Sequence, residues 1–284
     1  MHSIRTLFVA LALFGAMTAL PATAHAAEAY DNCSGYIDSL PATITTQGTW
    51  CLRQNLSTAM IFGNAITIAA NNVTLDCNDF KIGGLAAGND SLAIGIRAEA
   101  TQNTAVRRCG VRGFSVGISL LEGNAHVVED NRVDNNLTKG IEVTGTNHLV
   151  QRNRVLDTGG KLNNVNSIGI YASADVIENV VAGVFATSPN AVVDGIRAQG
   201  EGNEVRGNQV RGLVMAGSGT AVGIRGESPA MTLADNQVSA DTTMNGTAIT
   251  GHYTWNTFCI GNTVVNYSTA YTSCAHSFGN LPAL

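Results

Sequence analysis

The hydrophobic positions of this chain recur with a period far longer than that of a helix or a strand. An aliphatic residue three places before an asparagine and another two places after it return again and again, as in "VVEDNRV" (127–133) and "LVQRNRV" (149–155). With the asparagine as anchor, the series is Asn78, Asn131, Asn153, Asn179, Asn208, Asn236 and Asn262, and Cys109 fills the slot after Asn78. Successive spacings are 31, 22, 22, 26, 29, 28 and 26 residues. Such a period, varied by insertions, marks a solenoid of stacked rungs.

Each rung predicts three short strands. Leu75, Val106, Val128, Val150, Val176, Val205, Leu233 and Cys259 form one inward column, and Phe80, Val111, Val133, Val155, Val181, Val210, Val238 and Val264 form a second. A third strand lies nine to thirteen residues before the anchor, with Ile66, Ile96, Ile118, Ile141, Ile170, Ile196, Ile224 and Ile249 inward; "GI" introduces six of these. Strands this short are stable only if successive rungs pair in parallel and enclose their aliphatic side chains in a tube. The anchor then sits at a turn. Asparagine tolerates a left-handed backbone and hydrogen-bonds locally, and stacked amides can join into a ladder.

The V-x-x-N-x-V repeat with its "GI" strands resembles the right-handed parallel β-helix repeat proteins of the pectin-lyase-like superfamily. The opening "YIDSLPATITTQGTWCL" followed by "AITIAANNVTLDCNDFKIGG" is similar to the start of many bacterial exported members. The expected fold is therefore all-β: a right-handed parallel β-helix of about eight rungs. Its assigned parts are an N-terminal cap with first strands at 27–64, the helix at 65–266 and a C-terminal cap at 267–284. A left-handed β-helix would show a hexapeptide rhythm, which is absent. Stacking places Cys77 diagonally to Cys109 on adjacent rungs, about 6 Å apart between Cα atoms, within disulfide reach. Proximity in sequence pairs Cys33 with Cys51 and Cys259 with Cys274, one pair near each end.

The first 26 residues belong to a different element. Arg5, the apolar stretch Leu7 to Phe14 and Ala24-His25-Ala26 read as a secretory signal peptide with an A-x-A cleavage site. Cleavage after Ala26 removes 26 of 284 residues and leaves 258; with Arg5 the one charge lost, the net charge goes from −5 to −6. The six cysteines lie beyond that point, and an even number in an exported chain favours disulfides. The acidic balance gives no electrostatic footprint for nucleic acid, and no later apolar run is long enough to insert into a membrane. A secreted protein, extracellular or periplasmic, is expected; its oligomeric state is open.

Chemistry is less legible. "GGK" (159–161) and "GSGTAVG" (217–223) depart from phosphate-loop and dinucleotide patterns and read as turn glycines. H-E-x-x-H is absent. Two charged columns before the anchors, Arg108, Asp130, Arg152, Glu178 and Asp76, Arg107, Glu129, read as devices that fix strand register through opposite charges on neighbouring rungs. His126 and His148 stack in a mostly apolar column and read as packed side chains; as a metal site they are incomplete.

The outward column of the "GI" strand is the candidate site: Thr67, Arg97, Ser119, Glu142, Tyr171, Arg197, Arg225 and Thr250. Glu99, Gln199, Glu227 and His252 follow two residues later on the same face. Longer repeats take their extra residues just before this strand and are expected to wall it, as loops on a rigid scaffold do. In catalytic relatives the glycan lies along this sheet, so the resemblance places Glu142, Tyr171, Arg197, Arg225 and His252 as candidate catalytic residues facing a polysaccharide. The paired aspartates with G-H-G and R-I-K of polygalacturonases are absent, as is the aspartate cluster of calcium-dependent pectate lyases. Glu142 and Glu227 stand three rungs apart, about 14 Å, too far for a hydrolytic pair. Elimination or epimerisation of a uronate needs a cation for the carboxylate plus an acid and a base. The arginines with Tyr171 or His252 would supply these. No cofactor is called for, and calcium is left open. A lyase or epimerase on uronate-containing chains and a non-catalytic glycan-binding or attachment protein both stand as readings.

Overall fold

The computed structural model describes residues 32–163, 166–252 and 256–283; the leader read at 1–26 lies outside them. The described chain is a parallel β-solenoid of about nine turns. Its named elements are strands apart from the 3-10 turn Leu85–Ala87. Three sheets run along it. The first stacks Ala42–Ile44, Asn64–Ile68, Ile94–Glu99 and their successors up to Thr220–Gly226 and the segments ending at Thr250 and Thr272. The second runs from Gly35–Ile37 and Gly48–Leu52 through the strands before the anchors to His276–Phe278, and the third contains those after them, from Leu56–Ser57 to Leu281–Ala283. Stacking thus continues into both segments assigned to caps.

The isoleucines drive the assembly. Ile66, Ile96, Ile118, Ile141, Ile170, Ile196, Ile224 and Ile249 are all fully buried, as are Val106, Val128, Val150 and Val155 from the other two sheets. Each buried aliphatic side chain contributes about 1.5–3 kcal/mol. A β-branched residue recurring at one position suits a parallel sheet, because each copy packs on its twin in the next rung. One column departs from expectation. Ile82, not Phe80, pairs with Val111, because four residues (77–80) separate the strands at this first anchor whereas two separate them at the next.

The anchors bury their amides between the second and third sheets. Asn153 donates one amide hydrogen to Val128 O (2.8 Å) and another to Asn179 Oδ1 (3.0 Å), and its backbone N–H reaches the same Oδ1 at 2.9 Å. The pattern repeats from Asn131 through Asn262, which bonds in turn to Asn280, eighteen residues on. Cys109 joins from the other end by its N–H to Asn131 Oδ1 at 2.9 Å. The left-handed backbone belongs to the residue before the anchor: Arg108, Asp130, Arg152, Glu178 and Asp235 have φ of 51–56°. Asn78 (φ 47°) is the exception. The asparagines are therefore placed by their hydrogen bonds rather than by tolerance of positive φ.

Disulfides join Cys33 to Cys51, Cys77 to Cys109 and Cys259 to Cys274, the pairs expected. The charged columns pair across rungs: Arg107 and Arg108 both bind Asp76, and Arg152 binds Glu129 and Asp130. Burial alone would raise the Asp76 carboxyl. Hydrogen bonds from Arg108 and the Asn78 N–H, with the charges of Arg108 and Arg107, outweigh it and hold the group below its ordinary value.

Asn179→Ala removes the acceptor for Asn153 and the donor to Val150 O in one step. Urea unfolding should show a loss of about 2–4 kcal/mol, since buried groups left without partners cost about 1–3 kcal/mol each. A loss under about 0.5 kcal/mol, the range of ordinary surface substitutions, would show that the amide column is not structural.

Candidate functional site

The outward row of the first sheet is in register. Thr67, Arg97, Ser119, Glu142, Tyr171, Arg197, Arg225 and Thr250 occupy successive rungs as direct partners. Glycine before six of the eight isoleucines, and alanine before Ile66 and Ile249, make this possible. A Cβ on Gly169 would meet Val181 Cγ1 at 2.4 Å and Gly195 O at 2.5 Å, and one on Gly195 would meet Val210 Cγ1 at 2.4 Å. No side chain fits that corner, so the third sheet closes onto the first there, leaving isoleucine inward and its successor outward.

The row is internally bonded. Tyr171 donates its hydroxyl to Gln199 Oε1 at 3.0 Å, and Gln199 Nε2 donates to Glu227 Oε2 at 2.8 Å. Lys139 pairs with Glu142 and lies 5.0 Å from the Tyr171 ring centre. The two arginines expected to clamp a substrate carboxylate each meet a carboxylate of the protein. Asp194, fully buried, pairs with Arg197 on its own rung and with Arg225 at 3.0 Å on the next. Glu227 stands 3.6 Å from Arg197 on its other side. Asp194 escaped notice because it precedes the "GI" pair, outside the column the pattern singled out. Its signal was a lone carboxylate in "VVDGIR", where neighbouring rungs carry Ile168 and Val222.

Burial, then the charges of Glu227 and Glu142, raise the Tyr171 phenol above its ordinary value, with Arg197 and the Gln199 hydrogen bond partly opposing. The hydroxyl is therefore protonated at neutral pH and serves as a donor, not a base.

Two of the five sequence-predicted residues share a cleft. Arg225 and His252 line a shallow cleft of about 460 Å³ with Gln199, Glu227, Thr250 and Ser273. Glu142, Tyr171 and Arg197 lie outside that lining, along the row. The loops expected to wall the row enclose a hollow of their own, about 270 Å³, lined by Leu85, Asn89, Asn135, Asp157, Phe185 and Thr187 among others and by none of the outward row.

His126 and His148 stack with ring centres 4.7 Å apart and planes within 6°. Each Nδ1 accepts a backbone N–H, from Thr104 at 3.2 Å and from His126 at 2.9 Å, so the ring proton sits on Nε2. Both Nε2 atoms are buried without a hydrogen-bond partner. Burial, then the charge of His148, lowers His126 to about 4, and burial lowers His148, opposed by a backbone hydrogen bond at Thr144.

The stacked three-sheet rungs define a parallel β-helix protein of pectin-lyase-like fold. Residues 29–188, more than half the chain, match the family described as periplasmic copper-binding protein (NosD), and the chain belongs to that family. No curated protein matches it. Among solved structures it is similar to the Dettilon tailspike protein, at 14% identity and a TM-score of 0.54, covering 86% of this chain and 57% of that one. The A-module of the mannuronan C-5 epimerase AlgE6 of Azotobacter vinelandii is similar at 13% identity and a TM-score of 0.38, with 89% and 91% covered. At such identities the likeness is one of fold.

The His126 shift has a definite sign. The unfolded imidazole takes up a proton near pH 6.5 and the folded one near 4, so stability is full above about 6.5 and falls as pH drops toward 4. Unfolding midpoints at pH 7 and 4.5 should differ in that direction, and the His126 ring should remain neutral by NMR at pH 5.5. A folded-state titration midpoint near 6.5 would refute the buried, neutral assignment.

Proposed function

We propose that the chain is an exported solenoid that holds a polysaccharide along the outer face of its first sheet. The observation that carries this is the continuous polar row from Glu142 to Arg225, bonded sideways through Gln199 and Glu227 and ending in the cleft beside His252. A linear polymer laid along the stack meets one side chain of the row about every 4.8 Å. Three disulfides suit an oxidising compartment. The leader pattern and the family's periplasmic description point to the same place, and no helix among the described residues is long and apolar enough to cross a membrane.

Binding without turnover fits the row better than elimination or epimerisation. Those reactions require a free cation for the substrate carboxylate, an acid and a base. Tyr171 supplies an acid, but Asp194 already holds both arginines, and the raised Tyr171 phenol is a poor base. Glu142 is tied to Lys139.

The family description also raises copper, and the described side chains do not fit it. All six cysteines are in disulfides, which removes thiolate ligands. Among the described residues no group of three or more His, Cys, Asp or Glu is placed to hold a metal. The imidazole pair fails on chemistry: with each Nδ1 engaged by a backbone N–H, a metal at Nε2 would have to displace the ring's one proton.

Affinity electrophoresis and mass spectrometry against a polysaccharide panel test the main reading. Retention without new products is expected, and Tyr171→Ala should weaken it by about tenfold, the loss of one aromatic contact and its hydrogen bond. Unsaturated oligosaccharides would establish a lyase instead. Dialysis of the mature protein against Cu(I) and Cu(II) should return no stoichiometric copper; one tightly held equivalent would show that these side chains do hold the metal.

A further inference from the structure

The charge arrangement of the first sheet bears on the class of glycan, and it rests on the glycan-binding reading above. Four cations project from the strands of this face, and each meets a protein carboxylate: Arg97 with Glu99, Lys139 with Glu142, Arg197 with Asp194 and Glu227, and Arg225 with Asp194. Four carboxylates, Glu99, Glu142, Asp194 and Glu227, answer these four cations, so the paired groups carry no net charge. Asp194 is decisive. Fully buried beneath two arginines from adjacent rungs, it cannot swing aside into solvent when another anion approaches.

A polyuronate, the class the arginines in the sequence favour, presents a carboxylate on every sugar. On this face each would find its cation already engaged and would stand close to Asp194, Glu142 or Glu227, a like-charge arrangement that disfavours binding. Displacing Asp194 from its arginines would leave a buried charge unpaired, a heavy penalty. A neutral sugar brings only hydroxyls and apolar ring faces. For the hydroxyls the cleft is lined by the polar side chains of Gln199, Glu227, Thr250 and Ser273. For the ring faces the row offers Tyr171, about half-buried and held by its bond to Gln199.

We infer that the ligand is a neutral polysaccharide, and that Asp194 is the residue that sets this preference by occupying Arg197 and Arg225. It acts through the arginines and is a positioning residue. The role was hidden because the same two arginines, read from the sequence alone, point to the opposite ligand class.

The test is affinity electrophoresis of the mature protein at low ionic strength, where electrostatic attraction is least screened. Neutral matrices (β-glucan, α-glucan, mannan, xylan) are compared with acidic ones (alginate, polygalacturonate). The wild-type protein should be retained on at least one neutral matrix about tenfold more strongly than on either acidic one. Asp194→Asn, checked for wild-type unfolding behaviour, should gain about tenfold retention on an acidic matrix, the expected size of a new charge-assisted hydrogen bond, and salt should abolish the gain. Wild-type retention on alginate or polygalacturonate equal to or above that on every neutral matrix overturns the inference while leaving glycan binding intact. A folded Asp194→Asn protein that gains nothing removes Asp194 from the role. Retention on no matrix at all removes the glycan reading and this inference with it. If Asp194→Asn does not fold, the wild-type comparison alone decides the ligand class.

Discussion

Everything in this molecule depends on a primary amide buried where water cannot reach it. An asparagine side chain has two donors and an oxygen with two lone pairs, and leaving them unmatched in the interior would be costly. Stacking gives one exact solution per rung: a carbonyl of the rung before, the oxygen of the next asparagine, and that oxygen shared with a backbone N–H. A slip of one residue would break all of these together and turn the aliphatic columns outward. The amides thereby fix the register in which every other column, including the candidate binding row, is aligned.

That dependence explains why the fold was legible in the sequence. Inward isoleucines, the anchors and the cysteine that substitutes for one of them all repeat at positions that stacking forces into contact, so periodicity alone places them. Asn280 was missed because only eighteen residues separate it from Asn262, shorter than any other interval. Phe80 was misassigned because the turn after Cys77 is two residues longer than its successors, a change that leaves no mark on the hydrophobic pattern. The left-handed position could not be read from residue type, since arginine, aspartate and glutamate fill it in succession.

The candidate site was legible as a row and illegible as a set of interactions. Pattern places Glu142, Tyr171, Arg197 and Arg225 on one face, correctly. It does not reveal that Asp194 reaches two of them, because that contact depends on the local corner at Gly195, where isoleucine and its neighbours depart from simple alternation. His252 is brought to the row's end by the cleft, and Gln199 links Tyr171 to Glu227; both effects belong to side-chain conformation rather than spacing.

The unequal lengths of the connecting segments have an evolutionary consequence. Between the second and third sheets, from Arg107–Gly110 onward, the anchor turn keeps the same two residues at rung after rung. Between the third sheet and the first, the connection reaches ten residues at 84–93, shortens to three at 113–115 and vanishes in the continuous strands Gln237–Thr250 and Thr263–Thr272. A change of length at this corner alters surface shape without disturbing alignment, whereas the anchor turn holds its length from Arg107–Gly110 onward. A lineage of such chains is free to remodel one long edge repeatedly, rung by rung, and the scaffold beneath inherits no record of the change.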